Sequence, residues 1–254
     1  MRLKEQRNEH ITQFNYFSHS IIMHTESTII KQRTEEWYAA RLGKFTASNF
    51  CQLMARSFDR SSPWSKPAIN YIQDLALQIH LNKYTLRQNN DATRWGMRNE
   101  DKALQEFSNS SGFRIVDPGF LLHPMFTEVG ATPDAVVIEN SQTENLILAQ
   151  VKCPYNQKNH FHYSRKIQDA RTLKQCRSAY HWQIQGEIWV TGALHSYFVS
   201  FDPRLFGIQR LHYVKIERDQ QAIDQLEKVI PEAIALRDQF VEKYRNGELS
   251  VFCV

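Results

Sequence analysis

Apolar residues recur at helical spacing in several stretches of the chain. In residues 68–81, Ile69, Ile72 and Leu75 fall on one face, which predicts an amphipathic helix. Residues 95–112 show a second apolar stripe, and Gly112 is placed to end that helix. The pattern also predicts helices over residues 34–55 with a break at Gly43, over 172–191, and over 219–245, where Pro231 can introduce a kink.

Runs rich in apolar and β-branched residues predict β-strands between these helices. They are FRIVDPGFLLHP, ATPDAVVIE and NLILAQVK before residue 172, and SYFVSFD and LHYVKIE after residue 191. The order of helices, strands, helix, strands and helix indicates an α/β or α+β domain around a mixed sheet. We predict that residues 1–33 are an N-terminal extension and that residues 34–254 form a single domain.

Composition and charge narrow the class of protein. The chain has 254 residues, 42% of them hydrophobic, with 15 Phe, 10 Tyr and 5 Trp, so it can build a large core and disorder is not expected. A net charge of +4 permits a polyanionic partner without requiring one. The four cysteines are far apart and form no C-x-x-C, which favours reduced thiols and a cytoplasmic protein. The N-terminus lacks the apolar segment of a secretory signal, and no apolar run reaches the ~18 residues of a membrane span, so no membrane partner is expected.

Polar residues on two neighbouring predicted strands suggest a site for phosphodiester hydrolysis. Asp134 begins PDAVVIE, and Lys152 lies near the end of LILAQVK. An acid on one strand and an acid-x-Lys on the next would form a small metal site beside an ammonium group, but Gln150 stands in the place of the second acid. Mg²⁺ prefers oxygen ligands, which Glu100 and the Val151 carbonyl could add. Taken alone, the pattern also fits a turn aspartate and a solvated strand-end lysine.

A basic segment follows the second of these strands. Residues 151–181 contain seven Lys and Arg against one acid, Asp169, with aromatic residues interleaved. This composition fits a track for a phosphate backbone, although a solvated helix face would have the same charge. In the predicted helix that follows, Gln183 shares a face with Tyr180 and Glu187. Its side chain is either a hydrogen-bonded amide in the core or a group that faces a ligand. Histidine spacing does not favour zinc, and phosphate-binding glycine loops are absent from the sequence.

Seven motifs in the same order carry a resemblance to a known family. They are EEWYAARLGKFTAS, RWGMRNEDKALQEFSNSSGF, TPDAVV, QVKCP, SAYHWQIQGEIWVT, FDPR and LHYVKIERD, spread over residues 35–250. Together they resemble the phage lambda exonuclease group of PD-(D/E)xK nucleases, the YqaJ-like viral recombinases. The resemblance implies an α/β fold with a restriction-endonuclease-like core, in which a mixed central sheet is flanked by helices.

The resemblance also implies roles for individual residues. The catalytic set would be Lys152, Asp134, Gln150, Glu100 and Gln183, and the metal ligands would be Asp134, Gln150, Glu100 and the Val151 carbonyl. Arg41 and Ser48 match residues that hold the 5′-phosphate of a DNA end, and Lys158 falls near that phosphate. The remaining predicted DNA contacts are Arg56, in a loop near the incoming duplex, and Arg165 and Lys166 in the basic segment.

The resemblance to this family also implies an activity and partners for the chain. The expected activity is Mg²⁺-dependent 5′→3′ digestion of the 5′-phosphorylated strand of linear double-stranded DNA, with Mn²⁺ as a possible substitute. The product would be a 3′ single-stranded overhang for recombination with a single-strand annealing protein. The resemblance further implies a ring-shaped homotrimer, encoded by a phage or prophage and acting in the bacterial cytoplasm.

The chain departs from the family pattern at Gln150, where the family has glutamate. The amide keeps the size of the carboxylate and one acceptor oxygen but loses the negative charge, so metal binding should weaken. An engineered change, a tolerated natural variant and a degenerate DNA-binding homologue all remain open as its origin. The alternative function is a non-cleaving clamp on DNA ends that acts through partners. A restriction-like endonuclease fits the residues matched to the 5′-phosphate less well.

Overall fold

Helices begin where the sequence supplies a capping side chain. Thr34, Ser65, Asn90, Asp169 and Asp219 each accept a hydrogen bond from a backbone N–H in the first turn of the helix that follows. The computed structural model describes residues 30–55, 57, 62–85, 90–139 and 145–248. Its helices are α1 (Glu35–Arg41), α2 (Phe50–Leu53), α3 (Lys66–Leu81), α4 (Asp91–Ser111), α5 (Gln157–Lys166), α6 (Ala170–Cys176), α7 (Ser178–Thr191) and α8 (Gln220–Arg245).

The strands form two sheets. A small sheet has the order β1-β4-β3, and a five-stranded sheet has the order β2-β5-β6-β7-β8. In the larger sheet β6 and β7 are parallel and the other neighbours are antiparallel, which confirms the predicted mixed sheet flanked by helices. The strands are β1 (Phe45–Thr46), β2 (Arg114–Val116), β3 (Leu121–Leu122), β4 (Val129–Ala131), β5 (Ala135–Ile138), β6 (Ile147–Lys152), β7 (His195–Phe201) and β8 (Leu211–Glu217).

Strand β6 lies at the centre of the larger sheet and is buried on both faces. Leu148 belongs to the apolar cluster that includes residues of α3, α7 and α8. Ala149 and Val151 belong to a second cluster that includes Ala103 and Phe107 of α4. Because side chains alternate along a strand, Gln150 and Lys152 lie on the same face of β6 as Leu148, the face towards α7. The crossover between the parallel strands β6 and β7 contains α5, α6 and α7.

Several predicted elements divide in the structure. FRIVDPGFLLHP gives two short strands in different sheets, because β2 pairs with β5 and β3 pairs with β4. Gly119, between the two strands, adopts φ +64°. The predicted helix over residues 172–191 is two helices, α6 and α7, separated at Arg177. Helix α5 was not predicted because its sequence, QKNHFHYSRK, has few apolar residues to mark a period. Helix α8 continues through Pro231, and no helix in the described part of the chain is long and apolar enough to cross a membrane.

Helix α7 packs closely on the chain that follows β1 because residue 186 is glycine. A Cβ at Gly186 would lie 2.5 Å from a ring carbon of Phe50 and 3.2 Å from the Cβ of Ala47. Any larger residue would therefore push the helix away from this contact. This close packing fixes the position of α7, the helix that carries Gln183 and Glu187.

Candidate active site

Asp134 and Gln150 meet where strands β5 and β6 pair. Ala135 is opposite Ala149 in the antiparallel register, which brings Asp134 opposite Gln150. Gln150 Nε2 donates a hydrogen bond to Asp134 Oδ2, and the Val151 N–H donates to the same oxygen at 2.7 Å. The N–H and C=O of one strand residue point to the same neighbour, so the Val151 carbonyl is also directed towards the β5 edge.

Lys152 is held on the same side of β6 by helix α7. Its Nζ donates to Gln183 Oε1 at 3.2 Å and lies 5.0 Å from the centre of the Tyr180 ring. The other end of the Gln183 amide donates from Nε2 to Gln150 Oε1 at 2.9 Å. Gln183 therefore fixes the position of the lysine and the orientation of the Gln150 amide together.

Glu187 completes this network and was not among the predicted site residues. It is 1% exposed, and its Oε1 accepts from Gln183 Nε2 at 2.9 Å, while its Oε2 has no hydrogen-bond partner within the described residues. Burial raises the pKa of Glu187 well above its usual value, and the charge of Asp134 raises it further. The four-residue spacing from Gln183 was visible in the sequence, but the depth of the carboxyl in an apolar helix was not.

Glu100, on α4, lies at the mouth of the same site. With Val151, Lys152, Cys153 and Tyr180 it lines a cavity of about 450 Å³. Burial raises the pKa of Asp134 to about 7, an effect that Lys152 opposes and that the Glu100 carboxylate strengthens. The two carboxyl groups are thus close enough to feel each other's charge, and a bound cation would relieve this repulsion.

The oxygen donors at this site fit Mg²⁺, with fewer anions than the family pattern provides. Asp134 and Glu100 supply carboxylates, Gln150 an amide oxygen and Val151 a main-chain carbonyl, and Mg²⁺ is commonly bound through one or two carboxylates and substrate phosphates. Within the described ranges no three His, Cys, Asp or Glu side chains lie together as a metal-binding group. The third anion is missing because residue 150 is an amide.

A second, cation-rich cavity lies beside the site. It has a volume of about 500 Å³, and Arg33, Arg41, Lys44 and Ser48 are among the residues that line it, with Asp74 as the acidic member. Met97 lines both cavities. The predicted 5′-phosphate residues Arg41 and Ser48 are therefore brought together, next to the site that contains Lys152.

Arg41 is a buried cation without a carboxylate partner in the part of the chain that the structure describes. Its Nη1 donates to Thr132 Oγ1 at 3.1 Å, and its guanidinium lies 4.1 Å from the centre of the Trp37 ring. The Arg41 Nε is buried without a hydrogen-bond partner within the described residues, and a charged donor in this position favours a bound anion. Thr132 lies two residues before Asp134, so Arg41 is hydrogen-bonded to the segment that leads to the Asp134 carboxyl.

The other predicted DNA contacts are placed differently. Lys158, Arg165 and Lys166 are exposed on α5 and line neither cavity. Arg56 lies outside the described residues. His160, within the basic segment, is buried and hydrogen-bonds Ser200 Oγ and the Gln209 carbonyl, both at 2.8 Å. This histidine therefore has a structural partner on each ring nitrogen.

The raised pKa of Asp134 predicts a pH-dependent stability. The folded state holds this proton up to about pH 7, whereas the unfolded chain releases it near pH 4, so the Asp134 contribution to stability falls as pH rises between these values and is constant above pH 7. Asp134→Asn keeps the acceptor oxygen and removes the titration. We expect the free energy of unfolding of this variant, relative to that of the parent, to increase from pH 4 to pH 7. It is measured by urea denaturation in EDTA.

The comparison of the variant with the parent removes the effect of other titrating groups. Burial lowers the pKa of His181, His195 and His212, which opposes folding as pH falls, but both proteins contain these histidines. A stability difference that is the same at pH 4 and pH 8 would contradict the buried position of the Asp134 carboxyl.

Exonucleases with solved structures have a fold similar to that of this chain. A crystal structure of the alkaline exonuclease LHK-Exo from Laribacter hongkongensis superposes with a TM-score of 0.69 at 27% sequence identity, covering 85% of this chain and 98% of that chain. The structure of LHK-Exo in complex with dAMP gives the same TM-score and is covered completely. A phage-related exonuclease from Haemophilus somnus 129PT has a TM-score of 0.64 at 15% identity, over 79% of this chain and 96% of that one, and shows the fold alone.

Sequence comparison places the chain in a family. The uncharacterised protein ExoD of Escherichia coli K12 is 38% identical over 63 residues, which are 25% of this chain and 71% of ExoD. The sequence profile of the YqaJ-like viral recombinase domain matches residues 36–194, more than half of the chain, including Glu100, Asp134, Lys152 and Gln183. The chain therefore belongs to the YqaJ-like viral recombinase family, the family of phage lambda exonuclease.

Proposed function

We propose that the chain is a Mg²⁺-dependent exonuclease that degrades the 5′-phosphorylated strand of linear duplex DNA in the 5′→3′ direction. The observation that supports this most directly is the cation-rich cavity around Arg41 beside the carboxylates and Lys152 of the site. The kinship with an alkaline exonuclease whose structure contains dAMP supports a nuclease reaction. The product would be a 3′ overhang.

The chain's own residues have separate tasks in this reaction. Arg41, Lys44 and Ser48 would hold the terminal phosphate in the cation-rich cavity. Lys152 would donate from Nζ to the scissile phosphate or the attacking water, while Gln183 holds that ammonium in place. When bound, Mg²⁺ supplies positive charge and activates water for attack on the phosphorus. Asp134, Glu100, the Gln150 amide oxygen and the Val151 carbonyl would hold it.

One observation favours a second function, a non-cleaving clamp on DNA ends. The Gln150 amide uses its nitrogen for Asp134 and its oxygen for Gln183 at 2.9 Å, so this site is satisfied without a cation. A protein with this site could bind an end through the Arg41 cavity without cutting it. The intact Asp134, Lys152 and Gln183 favour the nuclease, with reaction slowed by Gln150.

The partners follow from the family and are part of the proposal. A ring of three subunits would surround the duplex, and the overhang would pass to a single-strand annealing protein. Mn²⁺ could replace Mg²⁺, since both accept oxygen ligands. The exposed Lys158, Arg165 and Lys166 of α5 would then contact the backbone of the entering DNA by charge.

Replacing Arg41 by alanine should remove the preference for 5′-phosphorylated ends. The guanidinium is the buried cation of the cavity, so its loss should cost about tenfold in affinity for a phosphorylated end and little for a 5′-hydroxyl end. Affinities for both ends are measured by fluorescence anisotropy in Ca²⁺. The ratio of the two affinities does not depend on the fraction of folded protein.

Arg245→Ala serves as the matched control because it removes an exposed arginine from the last turn of α8. It should leave the ratio of affinities unchanged. If Arg41→Ala keeps the parent's ratio, the assignment of this cavity to the 5′-phosphate is wrong.

A further inference from the structure

The guanidinium of Arg33 is paired with a carboxylate of the candidate metal site. Its Nη2 donates to Glu100 Oε2 at 2.8 Å and to Glu100 Oε1 at 3.0 Å. The two side chains are 39% and 22% exposed. Partly exposed ion pairs of this kind contribute little to stability, so a divalent cation at Glu100 can displace the arginine.

Arg33 stands at the boundary between the two cavities. Its side chain lines the cation-rich cavity with Arg41 and Lys44, while its partner Glu100 lines the cavity of Lys152. The positive charge of Arg33 also acts on Asp134 and lowers the pKa of that carboxyl, against the larger effect of burial. The Arg33 guanidinium therefore lies between the Glu100 carboxylate and the proposed phosphate position.

The backbone at Arg33 is strained in a way that glycine would avoid. Arg33 has φ +70° and is one of two non-glycine residues with positive φ in the described chain. Such a conformation is unfavourable for a residue with a Cβ and often accompanies function. The turn is fixed by Thr34, whose Oγ1 donates to the Lys31 carbonyl at 3.0 Å and caps α1. It directs the residue-33 side chain towards Glu100.

We propose that Arg33 competes with the divalent cation for Glu100, and that its displaced guanidinium binds a DNA phosphate in the cavity it already lines. Metal binding and DNA-end binding would then support each other, because the cation that occupies Glu100 makes Arg33 available to the phosphate. Arg33 is on this account a positioning and phosphate-binding residue. The inference rests on the proposed function, since it assumes that both ligands bind.

The test is the variant Arg33→Gly, which removes the guanidinium and suits the positive φ, so folding is preserved. Without DNA, Mn²⁺ binding followed by its EPR signal should become about two- to fivefold tighter, because the competing cation is gone. Affinity for a 5′-phosphorylated duplex in Ca²⁺ should become about tenfold weaker, because a charged hydrogen bond to phosphate is lost. The opposite signs of the two changes are the signature of the proposed role.

Lys44→Ala is the matched control. It removes one positive charge from the same cavity, but Lys44 Nζ donates to the Thr127 carbonyl and not to Glu100. It should leave Mn²⁺ affinity unchanged. Mn²⁺ affinity that is equal in Arg33→Gly and the parent, or that rises equally in Lys44→Ala, would overturn the competition at Glu100. A parent protein that binds neither Mn²⁺ nor DNA ends would overturn the proposed function, and this inference with it.

Discussion

Replacement of Lys152 by alanine is expected to lower the rate of Mg²⁺-dependent strand digestion by roughly 10²–10⁴-fold. The Lys152 ammonium is the cation held beside the Asp134–Gln150 pair, 3.2 Å from Gln183 Oε1 and over the Tyr180 ring. Its loss removes the donor that stabilises charge on the phosphate. DNA-end affinity should change by much less, because the Arg41 cavity is intact. Single-turnover digestion and anisotropy measure the two effects separately.

Lys228→Ala is a suitable control because it removes an exposed lysine from α8, away from both cavities. It should digest DNA at the parent's rate. Since the parent carries Gln150, Lys152→Ala and Lys228→Ala are also made in the Gln150→Glu background. Digestion is expected to be faster there, so the fall in rate caused by Lys152→Ala is easier to measure. Digestion by Lys152→Ala at the parent's rate would show that the lysine does not take part in the reaction.

Replacement of Gln150 by glutamate is expected to have two effects of opposite sign. In EDTA the variant should be less stable by about 1–3 kcal/mol, because an amide donor to Asp134 is replaced by a second carboxylate beside it. With Mg²⁺ it should bind the metal at least about 10-fold more tightly and digest DNA faster, because the site gains an anion. Gln183 Nε2 can donate to a carboxylate at residue 150 as it does to the amide.

Thermal unfolding in EDTA and in Mg²⁺ measures both effects on one protein. The added stabilisation by Mg²⁺ should be larger for Gln150→Glu than for the parent. Gln183→Ala provides a comparison that adds no charge. It removes the amide N–H that donates to Gln150 and Glu187, and the amide oxygen that accepts from Lys152. Equal stability of Gln150→Glu and the parent in both conditions would contradict the role assigned to the Gln150–Asp134 contact.

The layers of the fold were predictable because long amphipathic segments specify their elements. The helix over residues 68–81 extends from Lys66 to Leu81, and the strand NLILAQVK is β6. The polar helix α5 was not predictable, since its fold-determining contacts come from distant residues such as Ser200 and Gln209. The division of FRIVDPGFLLHP between two sheets likewise depends on pairing with β4 and β5, which local periodicity does not contain.

The site was predictable where its residues lie in motifs and not where they meet through tertiary contacts. Asp134, Gln150 and Lys152 follow from strand spacing and the family resemblance, and the structure brings them together. Arg33 falls within the predicted extension over residues 1–33, and nothing in that sequence indicates its pairing with Glu100, 67 residues away. Glu187 has a visible spacing from Gln183, but only packing of α7 shows that it is buried.

A strand-specific digestion assay tests directly whether this chain is a 5′→3′ exonuclease. The substrate is a linear duplex with one 5′-phosphorylated strand that carries a label at its 3′ end, incubated in Mg²⁺ with the parent or with Gln150→Glu. We expect progressive shortening of the labelled strand by Gln150→Glu, slower shortening by the parent, and an intact complementary strand. If neither protein shortens the labelled strand, while both bind the DNA end, the exonuclease assignment is wrong and the clamp function replaces it.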